Sequence, residues 1–435
     1  MTANNCEVGT WNKKLVMRTI NRHQQISQVQ LVRETGLSPG TVTNIIKKLR
    51  KEGFIQDIGS SVSTGGRKPV IFRFNTHARY VGCMIFFDVH EVRIGILDLA
   101  GNVLKESCFA VATTDIDILL QNASEALEKL ISELPVAREA IIANCAVFEG
   151  IVDSEAGILV YFARSGWRNI PVREKLEKLS NFTTFVEGFT QAKTLGEYWF
   201  GAAKGFENIV SILVDVGIGA AIIVNNRIYH GANYMEGEIG HTVVAPNGPL
   251  CKCGKKGCLE TVASGPAMIS RITELRESYN TVLPREVEKA SSREAISMIF
   301  QAAENGDSLA SRVVQDAGCH MGEAIAQLVN YFDPQCIMLV GYVIEEDTGI
   351  FTKIIRERCK QLRVSPEFRE TNIVRGKLGR KDVLLGSAIP AYQAFFGPLT
   401  QHENMRDVVW QGGAVKRAER NHFILSKGYA VAGAV

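Results

Sequence analysis

Gly237-Glu238-Ile239-Gly240-His241, and ten residues on Cys251-Lys252-Cys253-Gly254-Lys255-Lys256-Gly257-Cys258-Leu259-Glu260, is the stretch on which the reading of this 435-residue chain turns. Three thiols and one imidazole fall within eighteen residues, with glycines that let the backbone fold as a knuckle. His241, Cys251, Cys253 and Cys258 suit a closed tetrahedral Zn2+ site, structural rather than water-activating because all four positions are protein ligands. Three thiolates around a Zn2+ leave a negative site, which Lys252, Lys255 and Lys256 offset. A redox Cys-x-Cys pair, or a knuckle with no ligand role, fits the same residues.

On either side of this stretch the chain alternates apolar strands with amphipathic helices. Before it, residues 81–87, 92–97 and 103–111 read as a strand meander, followed by a helix over 116–134 and a buried strand over 140–147. A helix (172–179), a strand (183–187) and a helix (191–203) precede a second meander, 209–216 and 219–224. After it, residues 265–330 are mostly helical, 336–340 is a strand and 387–396 a last helix. Two strand-meander lobes with helices make an α/β body, and the length calls for more than one hydrophobic core. Residues 398–435 show no clear period and a lone Trp410.

Charge separates an N-terminal head from that body. Residues 1–80 hold thirteen Lys or Arg against four Asp or Glu, whereas the remainder holds 36 against 42. A basic head on a mildly acidic body is the footprint of a polyanion-binding module, although a solvated basic face gives the same count. The local pattern decides. Ser27 opens a helix that Gly36 ends; Ser38 then caps another with Pro39 in its first turn, where a missing N–H costs nothing. Val42, Ile45, Ile46 and Leu49 recur on one face of this helix, and Thr41, Thr43, Asn44, Lys47, Lys48 and Lys51 on the other. Short polar groups (Ser38, Thr41, Thr43, Asn44) placed to reach base edges, with Lys47 and Lys48 placed to hold phosphates, are the layout of a helix-turn-helix on double-stranded DNA. Strands over 54–58 and 70–74 flank a loop ending Gly65-Gly66-Arg67-Lys68-Pro69, which completes a winged helix. Arg67 and Lys68 suit a narrow, strongly negative minor groove, and a mobile hairpin tip is the alternative.

With the winged helix and its Gly-Gly-Arg-Lys-Pro wing, the Gly-Glu-Ile-Gly-His run and the Cys-x-Cys-Gly-x-x-Gly-Cys-x-Glu run, the chain resembles the ROK family (repressors, open reading frames, kinases) over residues 10 to about 397. It is most similar to the long branch that includes repressors of xylose and N-acetylglucosamine genes. The resemblance implies an N-terminal winged helix-turn-helix (1–78), a two-lobed actin-like ATPase fold of the sugar kinase type for effector binding and dimerisation (79–397), and a C-terminal extension without an assigned role (398–435). It also implies a sugar or sugar-derivative effector in the interlobe cleft, with Glu238, His241 and Glu260 at the sugar hydroxyls; His241 would bind Zn2+ through one nitrogen and offer the other to the ligand.

The departures from the kinase pattern set the expected function. Kinases of this family carry Glu-Asn-Asp at a strand end, the Asp acting as base; here the residues are Glu187-Gly188-Phe189. A phenyl ring accepts no proton, and loss of a general base removes about two to four orders of magnitude in rate. The first phosphate loop aligns with Phe86-Phe87-Asp88-Val89-His90, and the adenosine-side Gly-Gly reads Gly341-Tyr342. The glycine turn Asp215-Val216-Gly217-Ile218-Gly219-Ala220 survives, a weak signal because hairpins need glycine anyway. The Pro-Gly before the cleft reads Glu149-Gly150. The expectation is a non-enzymatic, pseudokinase-type repressor of carbohydrate genes, dimeric because one winged helix buries too little surface for selective binding. An active sugar kinase joined to a DNA-binding head, or a regulator that senses a partner protein, are the alternatives.

The longest apolar stretch, 209–224, is broken by Asp215 and two glycines and is too short to span a bilayer, and the first twenty residues lack a secretory pattern. No membrane segment is expected, and the cytoplasm is the expected compartment. Seven of the ten cysteines stand singly in apolar surroundings and read as buried reduced thiols.

Overall fold

The computed structural model describes residues 5–60, 70–87, 91–111, 113–364 and 371–397. The wing residues Arg67 and Lys68, the loop residues Asp88, Val89 and His90, and the 398–435 extension lie outside the described residues.

The head contains α1 (Asn5–His23), β1 (Ile26–Ser27), α2 (Gln28–Thr35), α3 (Pro39–Lys51), β2 (Ile55–Ser60) and β3 (Val70–Phe74). Local chemistry sets its boundaries. Ser27 accepts from the Gln30 N–H while the Gln30 side chain accepts from the Ser27 N–H, a reciprocal cap that begins α2. Gly36 ends α2 in the left-handed region at φ +67°. Ser38 accepts from the Thr41 N–H at 3.2 Å to begin α3. A three-stranded sheet in the order β1-β3-β2 closes the head, the two-residue β1 being an addition to the sequence reading.

The first lobe comprises β4 (Tyr80–Phe87), β5 (Glu91–Asp98), β6 (Val103–Ala110), α4 (Ile116–Ser132), β7 (Ile141–Phe148), a small antiparallel sheet of β8 (Ile151–Asp153), β9 (Ile158–Phe162) and β10 (Trp167–Ile170), then α5 (Val172–Ser180), β11 (Thr184–Gly188) and α6 (Phe189–Phe200). Its main sheet runs β11-β7-β4-β5-β6. The second lobe comprises β12 (Ile209–Val214), β13 (Ile218–Val224), β14 (Arg227–Ile228), α7 (Glu260–Ala263), α8 (Gly265–Leu275), α9 (Ser292–Glu304), α10 (Ser308–Phe332), β15 (Cys336–Val340), α11 (Tyr342–Glu346), α12 (Ile350–Leu362) and β16 (Asn372–Arg375), with sheet order β14-β13-β12-β15-β16. The chain then returns to the first lobe as α13 (Asp382–Ser387) and α14 (Ile389–Phe396).

Each meander is read correctly from the sequence, but the β8–β10 sheet and α12 were not foreseen, and the last helix divides in two at Ala388. The cysteine reading needs a correction: Cys83, Cys145, Cys336 and Cys359 are buried, whereas Cys108 is exposed and Cys319 half-buried. Cys108 lies on β6, an edge strand, and lines the open interlobe cavity instead of the core. Among the described residues, no helix is long and apolar enough to cross a membrane.

One apolar core runs from the head into the body. Val16, Ile20, Leu49, Phe54, Phe72 and Phe74 of the head share it with Val81 and Val147 of the first lobe sheet, Tyr198 and Trp199 of α6, and Tyr392 and Phe396 of α14. Phe54 meets Phe395 at 5.4 Å between ring centroids, and Phe74 meets Phe396 at 5.5 Å. The Lys14 ammonium donates to the Ala394 carbonyl at 2.7 Å. Helices α6 and α13 touch backbone to backbone, because a Cβ on Gly196 would overlap the Asp382 carbonyl and one on Gly386 the Ala192 carbonyl. Gly386→Ala is therefore expected to force the helices apart and cost about 2 kcal/mol or more, read as a fall in thermal midpoint. Gly40→Ala, in open space on α3, should leave the midpoint unchanged or slightly raised.

Candidate functional site

Three groups of candidate residues take definite places. On α3, Val42, Ile45, Ile46 and Leu49 are buried while Ser38, Asn44, Lys47 and Lys48 are exposed and Thr41 and Thr43 half-buried. The Ser38 and Thr41 hydroxyls lie 2.9 Å apart at the cap. The Thr43 hydroxyl donates to the Pro39 carbonyl and accepts from the Gln28 amide, both at 2.7 Å, which ties α2 to α3. The exposed face thus presents Asn44 beside Lys47 and Lys48, with the threonines nearer the helix start serving local bonds as well. Gln28 is the residue the sequence reading missed; its place in the first turn of α2 was the available signal.

The second group is the knuckle. The donor atoms of His241, Cys251, Cys253 and Cys258 all lie within 4.8 Å of one another. His241 Nδ1 is 3.5 Å from Cys251 Sγ, and the Cys253 and Cys258 sulfurs are 3.5 Å apart. The turn is held by the Cys251 N–H donating to the Lys255 carbonyl at 2.7 Å and by Gly254 and Gly257 at positive φ. A Cβ on Gly257 would overlap the Ala245 carbonyl, so glycine is required there. Four soft or borderline donors at this spacing match a tetrahedral ion with metal–sulfur distances of about 2.3 Å. Lys255 donates to the His241 carbonyl at 2.7 Å, which places a cation beside the thiols.

The third group lines a cavity of about 930 Å³ between the two main sheets. Glu238 and Glu260 face it from the second lobe; His241, whose Nδ1 is at the sulfurs, has its Nε2 3.7 Å from the Glu238 carboxylate. The Glu260 carboxylate accepts from the Ile218 N–H at 3.2 Å, so the glycine turn between β12 and β13 positions it. Burial pushes the Glu238 carboxyl above the usual range.

Phe189 begins α6 at the carboxyl end of β11 and lines the same cavity. Its ring meets Phe87 edge-on at 5.5 Å, and the Lys193 ammonium sits 5.6 Å from its centroid. Lys193 is buried and paired at 2.8 Å with Asp382 of α13. The helix that carries Lys193 also holds Thr190, Gln191, Thr194 and Glu197, so nothing in its sequence pattern singles the lysine out as buried. Glu187, buried behind Phe189, accepts from the Ser154 hydroxyl at 2.6 Å and from the Gly188 N–H at 3.0 Å; burial raises its carboxyl. On the second-lobe wall, Tyr342 follows Gly341 with the Arg293 guanidinium 5.9 Å from its ring, and Arg293 reaches Glu345 at 2.6 Å and Glu346 at 2.7 Å.

Burial raises the half-buried Asp215 carboxyl on the cavity wall to about 6, with Lys193 pulling it back. The folded state holds this proton more tightly than the unfolded chain, so the charged form penalises folding above pH 6 and the penalty fades as pH falls toward 4. Asp215→Asn is expected to raise the unfolding free energy at pH 7.5 by about 1–2 kcal/mol after solvent screening, with the gain shrinking by pH 5. Denaturant melts at the two pH values measure it.

Comparison with known proteins places this geometry. The model of the ROK family matches residues 87–394, and that of the winged helix-turn-helix DNA-binding family matches residues 12–56. The chain is 31% identical over 394 residues to the DNA-binding transcriptional dual regulator NagC of Escherichia coli K12, covering 90% of this chain and 95% of that one. It is 30% identical over 350 residues to the xylose repressor of Bacillus subtilis, covering 80% and 86%. Its fold matches a solved ROK family transcriptional regulator, described as a homologue of the E. coli MLC protein, with a TM-score of 0.78 at 26% identity over 92% of this chain and 99% of that one. Head, body and cleft are therefore those of a regulator-type architecture, with a winged helix-turn-helix before a two-lobed actin-like body, and the chain belongs to the ROK family.

Proposed function

We propose that this chain is a sequence-specific DNA-binding repressor of carbohydrate genes whose kinase-like body binds a sugar or sugar derivative without phosphorylating it. The observation that carries the reading is Phe189: the cleft places an aromatic ring, braced by Phe87 and Lys193, at the strand end where a sugar phosphotransferase needs a proton acceptor. Tyr342, Arg293 and Glu345 line the side of the cavity where the adenosine contacts of a kinase would fall, and the guanidinium is held there by Glu345 and Glu346, which favours a receiver over an enzyme. The acceptor-rich wall of Glu238 and Glu260, with His241 beside them, suits the hydroxyls of a sugar, since each carboxylate takes a charge-assisted hydrogen bond.

At the other end, Ser38, Thr41, Thr43 and Asn44 would address base edges while Lys47 and Lys48, with Arg67 and Lys68 of the wing, neutralise phosphates or enter the minor groove. The chain divides functionally into a reading head (1–78), a receiving and dimerising body (79–397) and an extension (398–435) with no role assigned. Two copies bind a two-fold operator in the cytoplasm, and effector binding lowers operator affinity by its preference for one lobe arrangement and no more.

Purified protein is expected to retain an operator duplex at physiological salt, to lose affinity at least tenfold with one member of a panel of hexoses, pentoses, N-acetylhexosamines and their 6-phosphates, and to show no sugar-dependent ATP turnover. Affinity unchanged across the whole panel sinks the sugar-receiver reading. Turnover at an enzymatic rate makes the chain a kinase with a DNA-binding head.

His241, Cys251, Cys253 and Cys258 would hold one Zn2+, which supplies a crosslink and no reacting water because every position is taken by protein. Holding it through Nδ1 would leave His241 Nε2 beside the Glu238 carboxylate, 3.7 Å away. Elemental analysis should return about one zinc per chain, and Cys251→Ser should lose it with a fall in thermal midpoint. A metal-free protein with the wild-type midpoint would dismiss the structural ion.

A further inference from the structure

The hydroxyls on the exposed side of α3 are not equally free to address DNA. A hydroxyl carries one hydrogen and two lone pairs. The Thr43 hydroxyl gives its hydrogen to the Pro39 carbonyl, one helical turn back, and takes a hydrogen from the Gln28 amide, each at 2.7 Å. It has no hydrogen left for a base. The Ser38 and Thr41 hydroxyls share one hydrogen across 2.9 Å, and Ser38 also accepts from the Thr41 N–H, so that pair keeps a single hydroxyl hydrogen to offer.

What Thr43 still presents is its methyl group. Thymine carries the one apolar mark in the major groove, its C5-methyl, and a threonine methyl is a group that meets it. Direction decides whether it can. A helical threonine divides between two rotamers, because its hydroxyl can bond to the preceding turn, so its methyl ordinarily points two ways. At Thr43 the second hydrogen bond, which comes from a neighbouring helix, selects one of them.

Gln28, the source of that bond, stands half-buried in the first turn of α2. The hydrogen count also fixes the orientation of its amide. The Thr43 oxygen, its hydrogen already given to Pro39, can only accept, so the Gln28 nitrogen and not its oxygen faces it. The two helices do not need this bond in order to form or to meet. Ser27 and Ser38 cap their starts, and Leu31, Val42 and Ile45 share one apolar core. We propose that Gln28 is a positioning residue for base reading: it holds Thr43 in the rotamer that turns the methyl toward a thymine in the major groove. The inference rests on the reading of the head as a DNA-binding module, and it adds to that reading a residue of α2 that need not touch a base itself.

Duplexes enriched from a random pool by the full-length protein supply the test. Each thymine of the enriched site is replaced in turn by deoxyuridine, which removes the C5-methyl and nothing else. Wild-type affinity should fall about fourfold at one thymine of each half-site, the worth of one buried methyl. Thr43→Ser keeps the hydroxyl and both of its bonds, whereas Gln28→Ala keeps the Thr43 methyl and frees its rotamer. Each should abolish the penalty at that thymine while penalties elsewhere and the thermal midpoint stay at wild-type values. A merely structural tie between α2 and α3 would weaken binding to the thymine and deoxyuridine duplexes alike and leave their ratio unchanged. If Gln28→Ala lowers the midpoint, Gln28→Met, which keeps the length and loses the donor, decides the matter. No penalty at any thymine in the wild-type protein, or penalties that all survive either substitution, overturns the proposal. A protein that enriches no duplex overturns it as well, and that result alone also sinks DNA recognition by the head.

Discussion

The crossing of α6 over α13 is the constraint on which the rest of the molecule depends. Gly196 and Gly386 let the two backbones touch, and the buried Lys193–Asp382 pair lies at the same crossing. Two charges without water are costly unless each is satisfied, so the pair contributes more to fixing which faces meet than to net stability. Because α6 starts in the cleft at Phe189 and α13 leads into α14 under the head, this contact sets the position of the interlobe cavity and of the winged helix-turn-helix together.

The molecule divides its polar chemistry by environment. In the head the informative groups are exposed, where lysines act as screened point charges and a helix face can meet a polyanion. In the body Glu187 and Glu197 are enclosed while Glu238 stands exposed on the cavity wall, and these carboxylates are read by what donates to them. Glu197 is satisfied by three N–H groups, and Glu187 by a hydroxyl and an N–H. Glu238, exposed on the cavity wall, is the one that the proposed sugar-receiver reading leaves for a ligand's donors. Structural and receptive carboxylates are thus told apart by whether protein donors already fill their lone pairs.

Much of the architecture was legible because it is local. The Ser27–Gln30 cap, the Gly36 stop and the Ser38–Pro39 start lie within a few residues of the groups they satisfy, and the meanders announce themselves by strand length and turn glycines. The knuckle was legible for the same reason, its four donors falling within eighteen residues. The β8–β10 sheet escaped because its strands are three to five residues long, too short for a period to register. Cys108 was misread because an apolar neighbourhood in sequence does not say which face of an edge strand is covered.

By itself the sequence determined the helix boundaries of the head, the thiol–imidazole cluster, the family and the aromatic residue at the strand end, since each depends on neighbours close along the chain or on residue identity alone. The tertiary structure decided the partnerships of buried charge. Lys193 meets Asp382 across 189 residues, and Glu197 meets Lys377 across 180. It also decided that head and first lobe share one core, through Phe54 and Phe395. No spacing rule links such positions, because the free energy that joins them comes from excluding water around both, and that exists only once the lobes have closed on each other.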